Sequence, residues 1–289
     1  MLGAIIGDII GSRHESSPKY PKRPVQNKNF RLFTPQCRFT DDTVLTCATA
    51  EAIINHPVHF FGFRVPTPIK YSDSYYKWGT KYPDRGYGSG FKKWLADSSK
   101  VLQINNSYAN GAMMRCSPIG MYYSDSNIET ALENAEESIK YTHNSPESIR
   151  GVKSIVTAIH MAKNGYDKME IADYIQENYG HMLNITLDEA RKQPKTTIRC
   201  NVTAPQALIA FMESNNYESA IRNAIYIGGD TDTNAAIAGA IAEAYYGTES
   251  ISKELVETAC SYLPEEIIVL IKKFYEAIKY NPDTNEIPK

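Results

Sequence analysis

Apolar residues recur every three to four positions along most of this chain, the spacing that lines one face of an α-helix. "SPESIRGVKSIVTAIHMAKNG" is the clearest case. Ser145 is placed to cap the first turn, Pro146 takes the first helical position, Glu147 suits the positive end, and Gly165 follows the stop. The same pattern predicts helices over 3–10, 41–55, 128–141, 168–178, 188–192, 204–213, 217–226, 232–246, 251–259 and 264–279, with short ones around 72–78 and 88–95. Asn127 is the expected cap of the 128–141 helix, and Gly247 suits the position just past the long alanine-rich one. Alternation that would demand a sheet is scarce; "KTTIRCNVT" is the one tempting strand, and it is short. The expectation is an all-α fold. No linker-like stretch divides the 289 residues, so a single compact helical domain over 1–289 is expected.

Two helix mouths depart from this pattern. "FTDDTVLTCATAEAII" puts Thr40, Asp41 and Asp42 at the start of an apolar helix. "GGDTDTNAAIAG" puts Asp230, Asp232 and Thr233 at the start of another, 189 positions later by Asp41 and Asp230. One acidic turn of this kind is ordinarily structural, because carboxylates favour the helix dipole and cap free N–H groups. Two of them change the weighing. Asp230 and Asp232 are two apart, so a turn bent at Gly228 and Gly229 aims both at one centre. Acids at the mouths of buried helices repel one another unless protons or hard cations compensate. Carboxylates with threonine hydroxyls suit Mg²⁺, and two ions about 4 Å apart would clamp a substrate oxygen and prepare a water. Zinc fits badly, since neither turn has His or Cys nearby.

Composition narrows the remainder. With 31 Lys plus Arg against 33 Asp plus Glu, there is no overall positive field for nucleic acid. The basic stretch from Lys19 to Lys28 reads as a solvated loop. Five cysteines stand singly at 37, 47, 116, 200 and 260, without CxxC, which favours a reduced, cytoplasmic protein. The opening "MLGAIIGDIIG" lacks a basic leader and is interrupted by Asp8, so it does not read as a signal peptide. No run of 18 apolar residues exists, and no membrane span is expected.

Three further stretches carry candidate chemistry. Asp8 lies in an apolar helix, which is costly unless it is paired or bonded. Gly11 is placed to end that helix and leave Glu15 on a loop, with His14 facing solvent. In "YANGAMMRCSPIG", the N–H groups after Asn110 and Gly111 either cradle an anion, with Arg115 near, or belong to a packed turn filled by methionines. In "YTHNSPES", His143 sits beside a helix N-terminus, which either binds a phosphate or is a capping loop.

With both acidic turns in view, the chain resembles the ADP-ribosylglycohydrolase family over most of its length, from "GAIIGDIIGSRHE" through "AEAYYG" to "LPEEI". "FTDDT", "THNSPES", "APQALIAF" and "YESAIRNAIYIGGDTDT" agree in order, while 56–108 is looser. The resemblance implies an all-helical fold around a dinuclear magnesium site, with manganese as the substitute ion. Thr40, Asp41, Asp42, Asp230, Asp232 and Thr233 fall on the family's metal ligands. It further implies Glu15 beside the scissile bond, and a loop at Asn110, Gly111, Ala112 and Met113 around the diphosphate and ribose, with His143 near the distal ribose or phosphate; among the carboxylates, Asp41 is the first choice for a base. Ala112, Met113 and Asn234 depart from the family's usual residues. The implied activity is hydrolysis at the anomeric carbon of ADP-ribose, on an ADP-ribosylated protein or a small ADP-ribosyl compound. A non-catalytic crystallin in the same family makes an ADP-ribose-binding or structural protein the alternative, and another metal hydrolase, such as a phosphohydrolase, is a second one.

Overall fold

Helix α12 (Thr231–Tyr246) is the axis on which the other elements are hung; its side chains are buried from Thr231 to Ala244. The computed structural model describes residues 1–15, 24–56, 59–60, 63–64, 70–97, 103–193 and 198–279. The first half of the stretch from Lys19 to Lys28 therefore lies outside the described residues, as do parts of 56–108 and of "KTTIRCNVT".

Helix α1 (Leu2–Ser12) packs along α12 with unusual intimacy. Gly3, Gly7 and Gly11 stand four apart on one face of α1, and a methyl added to each would meet Gly239 O at 2.4 Å, Ala235 O at 2.2 Å and Thr231 O at 2.4 Å. Each step of four up α1 is thus a step of four down α12: the helices are antiparallel with backbones in contact. Only glycine permits that approach. Two anchors fix the register. The Met1 ammonium and the Gly3 N–H both donate to Glu243 Oε2 at 2.8 Å, and Thr231 Oγ1 donates to Gly11 O at 3.0 Å. Gly11 does not end α1 as expected, because this packing carries the helix on to Ser12.

Around this pair lie α2 (Asp41–Ile54), α10 (Cys200–Met212), α11 (Tyr217–Ile227) and α7 (Pro146–Lys163). Helices α3 (Tyr71–Lys81) and α14 (Glu265–Lys279) cover α2, and α4 (Ser89–Ala96) leans on α3. Helices α5 (Ser117–Tyr122), α6 (Ile128–Ile139), α8 (Lys168–Tyr179), α9 (Leu187–Lys192) and α13 (Lys253–Cys260) complete an all-α body. A two-residue antiparallel pair, β1 (His59–Phe60) and β2 (Phe63–Arg64), is the one sheet among the described residues.

The capping chemistry read from sequence operates where it was expected: Thr40, Asn127 and Ser145 each accept a first-turn N–H, and Gly247 follows α12 with φ +83°. The tempting strand is corrected. Cys200 already opens α10, Arg199 makes only an isolated bridge to Ala109, and Pro205 is accommodated within the helix. Helix α5 has no counterpart among the expected helices. No helix among the described residues is long and apolar enough to cross a membrane.

Candidate metal and active site

A cavity of about 670 Å³ opens where the mouths of α2 and α12 meet the end of α1. Its acid wall is drawn from both ends of the chain. Thr233 Oγ1 lies 3.3 Å from Asp42 Oδ2, so residues 191 positions apart are in direct contact. Asp8, Asp42 and Asp232 each offer a carboxylate oxygen within 4.8 Å of the others, and Glu15, Asp230 and Asp232 do the same. Asp232 belongs to both groups, so the two clusters are fused at one residue.

Local structure explains the convergence. Thr40 caps α2, which turns Asp42 inward and leaves Asp41 on the cavity wall. Gly228 and Gly229 adopt φ of +85° and +82°, a left-handed bend that brings Asp230 to the cavity and starts α12 at once. Asn110 Nδ2 donates to Asp230 Oδ2 at 2.7 Å and to Thr203 Oγ1 at 3.1 Å, which fixes the face Asp230 presents. Asn234 is buried and donates to Gln206 Oε1 and Gly228 O, so this departure from the family pattern braces the glycine bend.

Electrostatics identify what the wall suits. Burial raises the carboxyls of Asp42 and Asp232 well above the usual carboxylate range, and their acidic neighbours add to the rise. Burial, then Asp8, holds Asp41 up at about 8. Asp42 Oδ1 is buried without a hydrogen-bond donor. A set of carboxyl oxygens held close, repelling one another when ionised and containing an orphaned buried oxygen, fits a hard divalent cation. No His or Cys belongs to either cluster, which disfavours zinc.

The remaining site residues fall in three places. Glu15 follows α1 on a non-helical segment, lines the cavity, and lies 3.8 Å from Arg38 Nη2. Thr40, Asp41, Asn110, Gly111 and His143 also line it. Ala112 and Met113 do not: both are buried behind the wall, with Met113 Sδ against Gly151 of α7. The N–H of Ala112 donates to Ala109 O, and those of Met113 and Met114 to Asn110 O, so these three donors are spent within a short helical turn. His143 is buried against Gly111, and burial with the nearby Arg115 keeps its imidazole neutral, well below the usual histidine range. His14 is corrected from solvent-facing to half-buried, edge-on to Phe30 at 5.0 Å.

Three groups of residues contribute more than the sequence alone indicates. Asp8 was seen only as a costly buried acid, yet it belongs to an acidic cluster. The glycines at 3, 7 and 11 carried a visible signal, a four-residue repeat of glycine on one helix face. Arg38 and Arg85 on the cavity wall carried none, since their position depends on how Phe39 packs beneath the Arg85 guanidinium at 3.7 Å.

An all-helical body whose two acidic helix mouths share one cavity defines a class, the helical proteins built around a candidate metal-binding acidic cluster. More narrowly, the chain belongs to the ADP-ribosylglycohydrolase family, whose model matches residues 1–283. It is similar to ADP-ribosylhydrolase ARH3 of Homo sapiens, at 24% identity over 93% of this chain and 90% of that protein. It is also similar to ADP-ribosylarginine hydrolase Tri1 of Pseudomonas putida (strain GB-1), at 25% identity over 89% of this chain and 72% of that one. A solved structure described as an ADP-ribosylglycohydrolase-related protein complex shares the fold, with a TM-score of 0.69 at 24% identity, covering 96% of this chain and 97% of its own.

Proposed function

We propose that this protein is a divalent-cation-dependent hydrolase that cleaves the glycosidic bond at the anomeric carbon of ADP-ribose. Its substrate would be an ADP-ribosylated protein or a small ADP-ribosyl compound. The observation that carries the reading is the 3.3 Å approach of Thr233 to Asp42, which unites the two acidic turns in one cavity. Two magnesium ions, or manganese in their place, held by Thr40, Asp41, Asp42, Asp230, Asp232 and Thr233, would supply Lewis acidity and a more acidic water.

The chain's own groups divide the remaining work. Asp41, first choice for the general base, lines the cavity beside the acid cluster, where it can take a proton from a water. Glu15 stands on a loop beside the acid wall, where it assists the leaving group or positions the ribose. Cleavage of this bond passes through an oxocarbenium-like transition state. Asn110, Gly111 and His143 hold the opposite wall, where a neutral imidazole provides one donor and one acceptor for the body of the substrate. Arg38 and Arg85 line the cavity beside Glu15 and Thr40–Asp41. Two cations there disfavour binding of a substrate whose linkage carries a guanidinium charge and favour an oxygen-linked one. Five free thiols among the described residues suit a cytoplasmic setting.

The test is a panel of arginine-, serine- and carboxylate-linked ADP-ribosyl substrates, each with magnesium, with manganese and with chelator, reading released ADP-ribose. Expected are cation-dependent release, faster from oxygen linkages, and a gain for the arginine linkage in Arg38→Gln. Tight ADP-ribose binding without release from any substrate would instead establish the non-catalytic binder. Release of phosphate without ADP-ribose would establish a phosphohydrolase.

A further inference from the structure

Asp8 is close enough to Asp42 and Asp232 to pass for a metal ligand, but its hydrogen bonds point elsewhere. It is completely buried in the apolar helix α1 and accepts four hydrogen bonds, all from the start of α2. Its Oδ2 takes the N–H of Thr40 at 2.9 Å, the N–H of Thr43 at 3.1 Å and the hydroxyl of Thr43; its Oδ1 takes the hydroxyl of Thr40 at 2.7 Å. A carboxylate has about four acceptor positions, so little capacity remains for a cation.

The last of these bonds has a consequence for Thr40. A hydroxyl has one proton and two lone pairs. The Thr40 proton goes to Asp8, and one lone pair receives the Asp42 N–H at 3.3 Å. The other lone pair stays with an oxygen that lines the cavity, 3.4 Å from Asp42 Oδ2, which is the more distant of the two acceptors within reach of the Thr40 proton. With the proton committed to Asp8, the Thr40 and Asp42 oxygens are two acceptors side by side with no hydrogen between them. Two acceptors so placed are satisfied together by a cation.

We infer that Asp8 is a positioning residue: it draws the Thr40 proton away from the cavity, so that Thr40 presents a lone pair and the Thr40–Asp42 oxygen pair is prepared to hold a divalent cation. The inference rests on the cation-dependent reading above. It also accounts for the burial of a carboxylate in α1, whose backbone contact with α12 sets where Asp8 stands. In Asp8→Asn the amide oxygen can keep the two N–H groups, but the amide nitrogen then donates toward Thr40 Oγ1. The Thr40 proton is turned into the cavity, where it opposes a cation.

The experiment is a calorimetric Mn²⁺ titration of the metal-stripped full-length protein, with bound ions counted by electron paramagnetic resonance. The chains compared are wild type, Asp8→Asn, Thr40→Val and the double variant. Asp8→Asn is expected to keep the wild-type stoichiometry and lose affinity by roughly 10–100-fold. The double variant is expected to be no more than about threefold weaker than Thr40→Val, because Asp8 acts through that hydroxyl. Loss of one ion from Asp8→Asn would make Asp8 a ligand and overturn the inference. Unchanged affinity with only a lower melting temperature would reduce it to a helix cap and overturn it too, as would additive losses in the double variant. A wild-type chain that binds no Mn²⁺ overturns both the inference and the reading beneath it, whereas intact binding with the wrong variant pattern overturns the inference alone. Should Asp8→Asn not fold, Asp8→Glu displaces the same carboxylate by one methylene and carries the same expected loss of affinity at unchanged stoichiometry.

Discussion

Gly7 and Gly88 both stand on the way to the cavity, and a methyl group added to each would meet opposite surroundings. At Gly7 it would lie 2.2 Å from Ala235 O, inside the seam where α1 and α12 touch backbone to backbone. At Gly88, on the rim before α4, it would meet nothing within 4 Å. The seam sets the acid wall, since Asp8 and Glu15 take their positions from α1 and Asp232 and Thr233 from α12. The rim, with Arg85, Phe91 and Trp94, is made of side chains stacked on one another: Tyr87 on Phe91 and Phe91 on Trp94, each at 5.1 Å. The acid wall is therefore held by backbone register, which tolerates no change of volume. Selectivity is left to side chains that can be exchanged without moving a helix.

The largest effect that would break this comparison is expected at the seam's acids. Asp232→Asn should slow ADP-ribose release on the order of 10³-fold, about 4 kcal/mol of barrier, measured as kcat/KM with saturating magnesium. The same substitution should raise the melting temperature in chelator. Asp232 is held above its usual value in the folded state, so its charged form costs stability above the unfolded-state pKa, and the neutral amide removes that cost. A lower melting temperature in chelator would mean that the acid wall is not under repulsion.

Next comes the seam itself. Gly7→Ala should destabilise the fold by about 3 kcal/mol, because neither backbone can retreat without moving a helix. Gly88→Ala should stay within about 0.5 kcal/mol. Denaturant midpoints of the two variants decide this, and equal losses would erase the distinction between seam and rim.

A third probe sits behind the far wall. Helix α7 backs the Asn110 turn through Gly151 and Met113, and His181 supports α7 through a 3.0 Å hydrogen bond with Ser154 Oγ. Burial, assisted by Arg150, lowers the His181 imidazole to about 4. Between that value and the ordinary 6.5 the unfolded chain binds the proton and the folded chain does not. The stability from neutral His181 is thus complete above about 6.5 and lost as the pH falls toward 4, with a ceiling of about 3 kcal/mol. Unfolding curves over this interval should flatten in His181→Asn.

The smallest expected effect is Asn234→Ala. It removes the donors to Gln206 and Gly228 but leaves the glycine bend, at about 1 kcal/mol of stability with little change in activity. A large activity loss would show that the bend at Gly228 depends on that brace.

Much of this molecule was legible in its residues. Period and caps placed nearly every long helix, and the two acidic turns with their glycines marked residues that meet in the acidic clusters. These are local properties: a helix mouth declares itself by the residues that satisfy its free N–H groups and by the charges its dipole tolerates. The sequence could not say that Ala112 and Met113 turn their backs on the cavity, because a turn's donors can serve a ligand or the turn itself, and packing against α7 made the choice. Nor could it say that Asp8 answers Thr40 and Thr43 rather than solvent or a cation. That depends on α1 and α2 meeting at one angle, and the angle follows from glycines four apart that let α1 lie against α12. Residue types along the chain determined which groups can do chemistry; contact between distant backbones decided which of them share a centre, since distance and burial set the strength of charge interactions and no linear pattern contains either.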